Sequence, residues 1–514
     1  MPISTRNQSK INVQQKEIGN YITELRNKRH ITQKDFAKLL NTSQSAVARM
    51  ESGDQNFSTE MLLKISTVLN QNIISLSRGT ISYQVTGGRK LKGSITTNTS
   101  KNGAVSLLFG SLLNKGTTTL NNVPRIEEVH RIIEVLTSIG VLVKWNNNNI
   151  TITPPTKLNL AKINLKAARR TRSAILLMGT LSHLANEYSL PFPGGCLLGV
   201  RTMSPHLFAF EKLGMKIKTT ENAYYINTKS KKSTEIVMYE AGDVATENIL
   251  YAAATTEGTT TIKKAAANYM VQETCLFLRT LGIKIDGIGT SKITITGKKK
   301  ITNNVEYTLA EDPIESMLFI SAAIVTQSSI TIKRCPIDFL ELELLKLEKM
   351  GFKYDTLKRY KAYNGYTDLV DIKTYPSKLT ALTDKIEPRP YPGINIDNLP
   401  YFVPISALAV GRTLIHDWVW ENRAIYYTEI NKLGANVTLA DPHRAYIEGP
   451  TKLKPADIVA PPALRPAAML LITMLGAKGV SILRNVYTIN RGYEDICPRL
   501  NKLGAKIEIL SGIE

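Results

Sequence analysis

LTSIGVLVKW (136–145), FEKLGMKIK (210–218), LRTLGIKID (278–286), LEKMGFKYD (347–355), INKLGANVTL (430–439) and LNKLGAKIEI (500–509) are six versions of one phrase. Their glycines, Gly140, Gly214, Gly282, Gly351, Gly434 and Gly504, follow one another at spacings of 74, 68, 69, 83 and 70 residues. An apolar helix end, a glycine and then alternating apolar residues predict one local structure, because glycine supplies the left-handed cap and the alternation makes a strand. A second echo stands some two dozen residues before five of these glycines: KGTTTLNNV (115–123), EGTTTIKKA (257–265), QSSITIKRC (327–335), GRTLIHDWV (411–419) and KGVSILRNV (478–486). These read as strands entering the helix. Units of about 70 residues are too small to bury both faces of a sheet alone, so the six must pack around shared helices. A linear solenoid is the simplest such array.

The 514 residues exceed one ordinary domain, and 43% apolar content is enough for sizeable cores. Lys and Arg number 65 against 43 Asp and Glu, a net +22 that favours anionic partners such as nucleic acid or phosphorylated metabolites. Only Cys196, Cys275, Cys335 and Cys497 occur, without metal-ligand spacing, so neither a disulfide framework nor a metal site is expected, and a reducing cytoplasm fits. Residues 1–17 are polar, and no apolar run approaches the roughly 18 residues a membrane-spanning helix needs. No membrane partner is expected.

Residues 17–73 read as short amphipathic helices, the first carrying Ile18, Tyr21, Ile22 and Leu25 at helical spacing. Thr32 is placed to cap a helix through Phe36, Ala37, Leu39 and Leu40, and Thr42 or Ser43 to cap another through Ala46, Val47 and Met50. Two helices with so short a joint cross sharply. ITQKDFAKLLNTSQSAVARMESG (31–53) resembles the small phage-repressor-type (XRE-like) helix-turn-helix family. That resemblance implies a DNA-binding module over residues 1–77, with Gln44, Ser45 and Arg49 facing the major groove of double-stranded DNA and Gln33 near the backbone or an adjacent base. A module kept for protein contacts or dimerisation would carry the same helices, and Arg26 with Glu51 would then be only an internal ion pair. Modules of this type ordinarily act as dimers, which makes an oligomer plausible although no dimerisation stripe is evident. After Ser77 the chain changes at once to β-rich runs such as ISYQV (81–85).

The motifs in the repeated part give it a family. GSITTNTSKNGAV (93–105), PGGCLLGVRTMSPH (193–206), PYPGINIDNLPYF (390–402) and WENRAIY (420–426) resemble signatures of the enolpyruvyl transferases, from about Ile81 to Glu514. The resemblance implies a two-lobed inverse α/β barrel of six units, behind the small all-α module. One lobe is expected from residues 80–100 plus 265–514 and the other from residues 101–264. Catalysis would need no metal or organic cofactor.

Two glycines before Cys196 make a mobile loop, and Arg201 close behind it lowers a thiol's proton affinity. A lone cysteine is ordinarily an inert small hydrophobe. In the family the matching thiol protonates the methylene carbon of phosphoenolpyruvate, which marks the branch acting on UDP-N-acetylglucosamine rather than on shikimate phosphate. Attack by the sugar hydroxyl needs a carboxylate to take its proton, and Asp397 matches the family's aspartate, although beside Gly393 and Asn395 it could also serve as a cap or turn residue. Lys101 is the third catalytic candidate. A phosphate and a carboxylate on one small molecule suit guanidinium clamps. The resemblance places phosphoenolpyruvate against Lys101, Asn102, Arg201, Arg423, Arg465 and Arg491. It places the nucleotide sugar against Asn102, Arg172, Arg201, Thr202, Met203, Ser204, Pro205, Asp397 and Val419.

The nucleotide end departs from the family pattern. Ser204 stands where an aspartate is expected on uracil, Glu240 where a lysine is expected on the diphosphate, and Gly242 where a serine is expected, with Asp243 beside it. Ala463 replaces an aspartate two residues before Arg465, and an acidic stretch reads ANYMVQ (267–272). Carboxylates near a diphosphate repel it. The expected reaction moves the enolpyruvyl group of phosphoenolpyruvate to the 3-hydroxyl of UDP-N-acetylglucosamine, the committed step toward peptidoglycan. The alternatives are another nucleotide sugar as acceptor, or a transcription regulator that uses the transferase-like part to sense a ligand.

Overall fold

All six repeat glycines adopt positive φ, from 82° at Gly282 to 98° at Gly140, the left-handed backbone expected from the sequence. Each ends a helical segment: Glu127–Ser138, Ser204–Lys212, Tyr269–Thr280, Glu341–Lys349, the 3₁₀ segment Ala424–Leu433 and Ile496–Lys502. Each leads into a strand, respectively Leu142–Asn146, Lys216–Thr219, Lys284–Asp286, Lys353–Lys361, Asn436–Asp441 and Ile507–Ser511. The fifth segment departs from α geometry where Ile425, Tyr426, Tyr427 and Thr428 run together, residues with restricted side-chain rotation in a helix, and no side chain caps its start. The five echoes are strands: Thr118–Asn121, Gly258–Lys263, Ser329–Pro336, Gly411–His416 and Gly479–Arg484.

The computed structural model describes residues 5–55, 57–69, 81–192, 194, 202–221 and 223–511. Cys196 and Arg201 lie outside the described residues. The chain divides into two compact units, one holding the N-terminal helices up to Ile81 and one spanning Ser82–Ile509.

In the first unit the described helices are Thr5–Lys28, Gln33–Leu40, Gln44–Ser52 and Thr59–Val68. Thr32 and Ser43 are the caps, accepting from the backbone of Asp35 at 3.1 Å and of Ala46 at 3.2 Å. Ile22, Phe36, Leu40, Val47, Met50 and Ile65 form the core. The first helix begins twelve residues before Glu17, because the polar stretch there lacks Gly and Pro and continues the helix without an apolar face.

In the second unit the strands form six small sheets. In the echo sheets the entering strand is antiparallel to the return strand of a hairpin, as Thr118–Asn121 is to Asn149–Thr153 and Gly411–His416 to Arg444–Gly449. Among the described residues the last unit has no return strand of its own. Ile81–Gly87 supplies it, with Tyr83 opposite Leu483 and Gly87 opposite Gly479, so the start of the unit closes its end. Between the sheets run apolar helices: every residue of Pro313–Val325 is buried, and Leu464–Gly476 is buried from Leu464 to Leu475. Among the described residues no helix is long and apolar enough to cross a membrane.

Sheet membership separates strands within 118–308 from those within 81–96 and 329–511. A division at residue 265 is therefore corrected. Lys292–Gly297 is antiparallel to Gly258–Lys263, and Val305–Thr308 runs parallel beside Thr118–Asn121, which carries residues up to 308 into the group that begins at 118. The chain passes between the groups twice, and the two passages are tied together: Thr99 bridges Glu311, Ser100 N donates to Ala310 O at 2.8 Å and Asp312 N to Asn98 O at 2.8 Å. Each passage ends in a helix cap. Ser100 caps Lys101–Gly110 and Asp312 caps Pro313–Val325. Lys101 thus sits on the first turn after a crossing that is fixed on both sides.

Candidate active site

Seven residues singled out by sequence, Lys101, Asn102, Arg172, Asp397, Arg423, Arg465 and Arg491, line one cavity of about 250 Å³. They come from well-separated parts of the chain, and the helix starts at 101 and 464 both contribute residues to the same space. Arg170 adds a further guanidinium to the wall, and the carboxyl groups facing these cations are Glu128, Asp243, Glu247 and Asp397.

Lys101 Nζ lies 2.8 Å from Glu128 Oε2, both side chains mostly buried. Burial pushes the Glu128 carboxyl up, but Lys101 and Arg491 outweigh it and hold the group below the usual carboxylate range. Asn102 Nδ2 donates to the Tyr269 hydroxyl at 2.9 Å. Arg465 donates twice to Asp397 Oδ2, at 3.2 and 3.0 Å, and from Nη1 to the Tyr493 hydroxyl at 2.5 Å. Burial would raise Asp397; Arg465, Arg423 and Lys101 together keep it below its ordinary value, so the group is ionised. Arg491 Nε is buried without a hydrogen-bond partner among the described residues, a donor in the cavity wall with spare capacity for an anion.

Arg423 is 1% exposed and is committed elsewhere: Nε and Nη2 reach Asp417 Oδ2 and Oδ1 at 2.6 and 2.8 Å, and the Tyr427 hydroxyl donates to Oδ2 at 2.5 Å. It contributes its field to the cavity more than free donors. Glu128, Asp417, Tyr269 and Tyr493 were not anticipated from sequence. Glu128 reads as an acidic residue in a first helical turn, and Asp417 as the end of an echo strand.

A second cavity, about 710 Å³, adjoins the first and shares Arg172, Asp243, Asn268, Asn395 and Trp420 with it. Thr202 and Val419 line it, as do the departures Glu240 and Gly242. Met203, Ser204 and Pro205 do not line either cavity. The helix Ser204–Lys212 starts there, Pro205 turns into the core, and Ser204 spends its hydroxyl on Thr202 at 2.8 Å. Asn268 explains part of the altered pattern: it donates to Asp243 Oδ2 at 3.1 Å and accepts from Asn395 Nδ2 at 3.1 Å, while its own side chain caps Tyr269–Thr280. Burial lifts Asp243 to about 6, an effect the Asn268 bond opposes and the Asp397 charge reinforces. Cys275, Cys335 and Cys497 are buried, and burial pushes each thiol up to about 12, so none of the three is a reactive thiol.

In the first unit Gln44, Ser45 and Arg49 are exposed on one helix, as a groove-reading face requires. Ser45 Oγ also meets Ser43 Oγ at 3.0 Å. Gln33 is half-buried, and its amide donates to Glu51 Oε2 at 2.8 Å. Arg26 pairs with Glu51 through Nε and, at 2.9 Å, through Nη2.

Comparison with known proteins agrees with both parts. A family model described as EPSP synthase (3-phosphoshikimate 1-carboxyvinyltransferase) matches residues 85–510, and a helix-turn-helix family matches residues 22–76. The UDP-N-acetylglucosamine 1-carboxyvinyltransferase of Treponema denticola is 33% identical over 431 residues, 83% of this chain and 99% of that protein. The protein of the same name from Bradyrhizobium diazoefficiens is 32% identical over 440 residues, 83% of this chain and 98% of its own. In fold, the enolpyruvyl transferase NikO from Streptomyces tendae matches with a TM-score of 0.73 at 23% identity, over 85% of this chain and 100% of that one. An EPSP synthase from Acinetobacter baumannii matches at 0.66 and 19%, over 84% and 100%. Six left-handed helix ends, a basic cavity at a double crossing and relatives matched over nearly their whole length lead to one statement: the chain belongs to the EPSP synthase family of enolpyruvyl transferases, with a helix-turn-helix region at its N-terminus.

Proposed function

We propose that the chain transfers the enolpyruvyl group of phosphoenolpyruvate to a hydroxyl of a nucleotide sugar in the cytoplasm, with UDP-N-acetylglucosamine the acceptor that its relatives' names support. The observation that carries the reading is the cavity where Lys101, Arg465 and Arg491 face an ionised Asp397. In this reading Lys101, Asn102 and Arg491, with Arg201, receive the phosphate and carboxylate of phosphoenolpyruvate, and Arg465 and Arg423 support them through the field. The Cys196 thiol gives its proton to the methylene carbon, the acceptor hydroxyl attacks the adjacent carbon, and Asp397 takes the hydroxyl proton. Loss of phosphate and of a proton from the newly formed methyl group of the resulting ketal restores the methylene and gives the enol ether. Arg172, Thr202 and Val419 serve the acceptor in the larger cavity.

A second acceptor is favoured by one observation: Glu240 and Asp243 line that larger cavity, where a diphosphate would meet negative charge. The N-terminal unit binds double-stranded DNA in this reading, its helix Gln44–Ser52 presenting Gln44, Ser45 and Arg49. Phosphate release by the purified chain is the test. It should require phosphoenolpyruvate and a nucleotide sugar together and be abolished in Cys196→Ala; no release with any nucleotide sugar would reject the transferase reading.

A further inference from the structure

Asp243 is the first residue of the helix Asp243–Ala254, where a carboxylate gains from the unpaired backbone N–H groups of a helix start. Its side chain is held elsewhere. Oδ2 accepts from Asn268 Nδ2 at 3.1 Å, and Oδ1 takes no hydrogen bond among the described residues. Asn268 passes the contact on: its Oδ1 accepts from Asn395 Nδ2 at 3.1 Å, and Asn395 Oδ1 accepts from the backbone N–H of Asp397 at 2.8 Å. Two amides therefore tie Asp243, which lies within residues 118–308, to Asp397, which lies within 329–511. Burial raises the Asp243 carboxyl, and the nearby Asp397 charge adds to that effect.

The place of the open oxygen narrows its use. Asp243 and Asn268 line both cavities, and Asp397 lines the smaller one. A molecule that fills the larger cavity and brings one hydroxyl to Asp397 passes Asp243 on the way. The adjoining loop has the same character. Glu240 Oε1 lies 3.0 Å from where a Cβ on Gly242 would stand, so a carboxylate oxygen flanks the position at which the family pattern has a serine hydroxyl. The larger cavity has two guanidinium groups in its wall, Arg172 and Arg389, and Arg389 donates to Glu387 at 3.0 Å. Ionised carboxylates accept hydrogen bonds and cannot donate them. A wall of this kind recognises O–H and N–H groups and repels phosphate.

We propose that Asp243 is a specificity-determining residue of the acceptor site: its open Oδ1 accepts a hydrogen bond from an O–H or N–H group on a sugar carbon next to the one whose hydroxyl reacts. The sugar's role as acceptor rests on the transferase reading above; the contact between Asp243 and a donor group does not. Positions 2 and 4 flank a reacting 3-hydroxyl, so the acceptor class is a nucleotide sugar with a hydrogen-bond donor on one of them. A sugar lacking that donor leaves the carboxylate oxygen unpaired and is rejected for that reason.

Two pairs of probes test the contact, UDP-glucose against UDP-2-deoxyglucose and UDP-N-acetylglucosamine against its 4-deoxy analogue, each pair differing by one hydroxyl. Binding to the full chain is measured by calorimetry without phosphoenolpyruvate, and phosphate release is measured with it. In at least one pair the deoxy sugar is expected to bind at least about tenfold more weakly and to lose as much in kcat/KM. In Asp243→Ala that ratio should fall to within about threefold, with KM for the parent sugar rising more than kcat falls. Asp243→Asn can still give its oxygen to Asn268, which leaves an amide N–H₂ in place of the open acceptor. It should keep the melting temperature and lose the same discrimination, an outcome a merely structural tie would not produce. Equal binding within both pairs, a discrimination that both substitutions leave unchanged, or failure of all four sugars to bind overturns the assignment. Discrimination that depends on Asp243 in binding, without phosphate release from any sugar, upholds the contact and rejects the transferase reading instead.

Discussion

Asp397 and Arg465 meet through two hydrogen bonds that both fall on Oδ2, so the guanidinium makes no use of Oδ1. A carboxylate held in this way stays ionised in a buried site and keeps an oxygen with which to accept a proton. Arg465 is held in turn by Tyr493, whose hydroxyl also meets Tyr401. The pair is thus positioned from behind by an aromatic contact and opens toward Lys101 and Arg491.

Asp397→Asn is expected to lower kcat by about 10²–10⁴ while leaving phosphoenolpyruvate binding within a few fold, since the amide cannot take the hydroxyl proton. The pH profile carries a sign. Because Asp397 lies below its ordinary value, the active ionised form persists as pH falls through the usual carboxylate range, and no acid limb from this group appears above about pH 4. Removing the guanidinium in Arg465→Gln takes away the largest of the charges that oppose burial and leaves only Arg423 and Lys101, so the acid limb of kcat moves to higher pH. An unmoved limb would separate Asp397 from the proton transfer.

The sequence made the repeat legible because a left-handed helix end needs glycine, and glycine recurred at one spacing; all six positions have the backbone that reasoning demands. The cavity's arginines were legible because they sit in family motifs. What stayed hidden was pairing at long range. Glu128 against Lys101 joins a first-turn acid to a residue in another helix, and the inclusion of residues 284–308 with the group from 118 depends on strand neighbours no local pattern names. Met203, Ser204 and Pro205 belong to a motif whose loop continues into a helix start, and among its described residues Thr202 and His206 are the ones that line the larger cavity.

Asp417→Ala is expected to cost about 3–5 kcal/mol of stability, because it leaves the fully buried Arg423 guanidinium without its partner. Arg423→Met alone strands Asp417 and should cost a similar amount, whereas the double substitution should recover part of the loss. Chemical denaturation of the four proteins measures the coupling; additive losses would mean that the two side chains do not act as a pair.

Gly214 and Gly504 share a left-handed backbone, with φ of 88° and 97°, but not the same surroundings. A Cβ at Gly214 would stand 2.2 Å from the Ser230 carbonyl oxygen, while one at Gly504 would meet nothing nearer than Lys90 O at 3.7 Å. Gly504→Ala should therefore cost only the conformational strain, about 1–2 kcal/mol, and Gly214→Ala clearly more. Thermal unfolding of the two variants in parallel gives the order, and equal shifts would place the whole cost in the backbone.

In the N-terminal unit, stability and DNA contact should separate by residue. Glu51 receives Arg26 and Gln33 together and is 7% exposed, so Glu51→Ala leaves the buried Arg26 unpaired and should cost about 3–5 kcal/mol in that unit. Gln33 then loses its anchor too, which makes it a positioning residue before any contact with a phosphate. Arg49→Ala and Gln44→Ala remove exposed side chains and should leave unfolding unchanged, yet each should weaken binding to a double-stranded DNA selected from a random pool by about 1–3 kcal/mol. A purely phosphate contact from Arg49 would instead weaken all sequences alike and lower the salt slope by about one. Mobility-shift titrations of the full chain at two salt concentrations distinguish these outcomes. Failure of the intact chain to select any DNA would assign the exposed helix face to protein contacts.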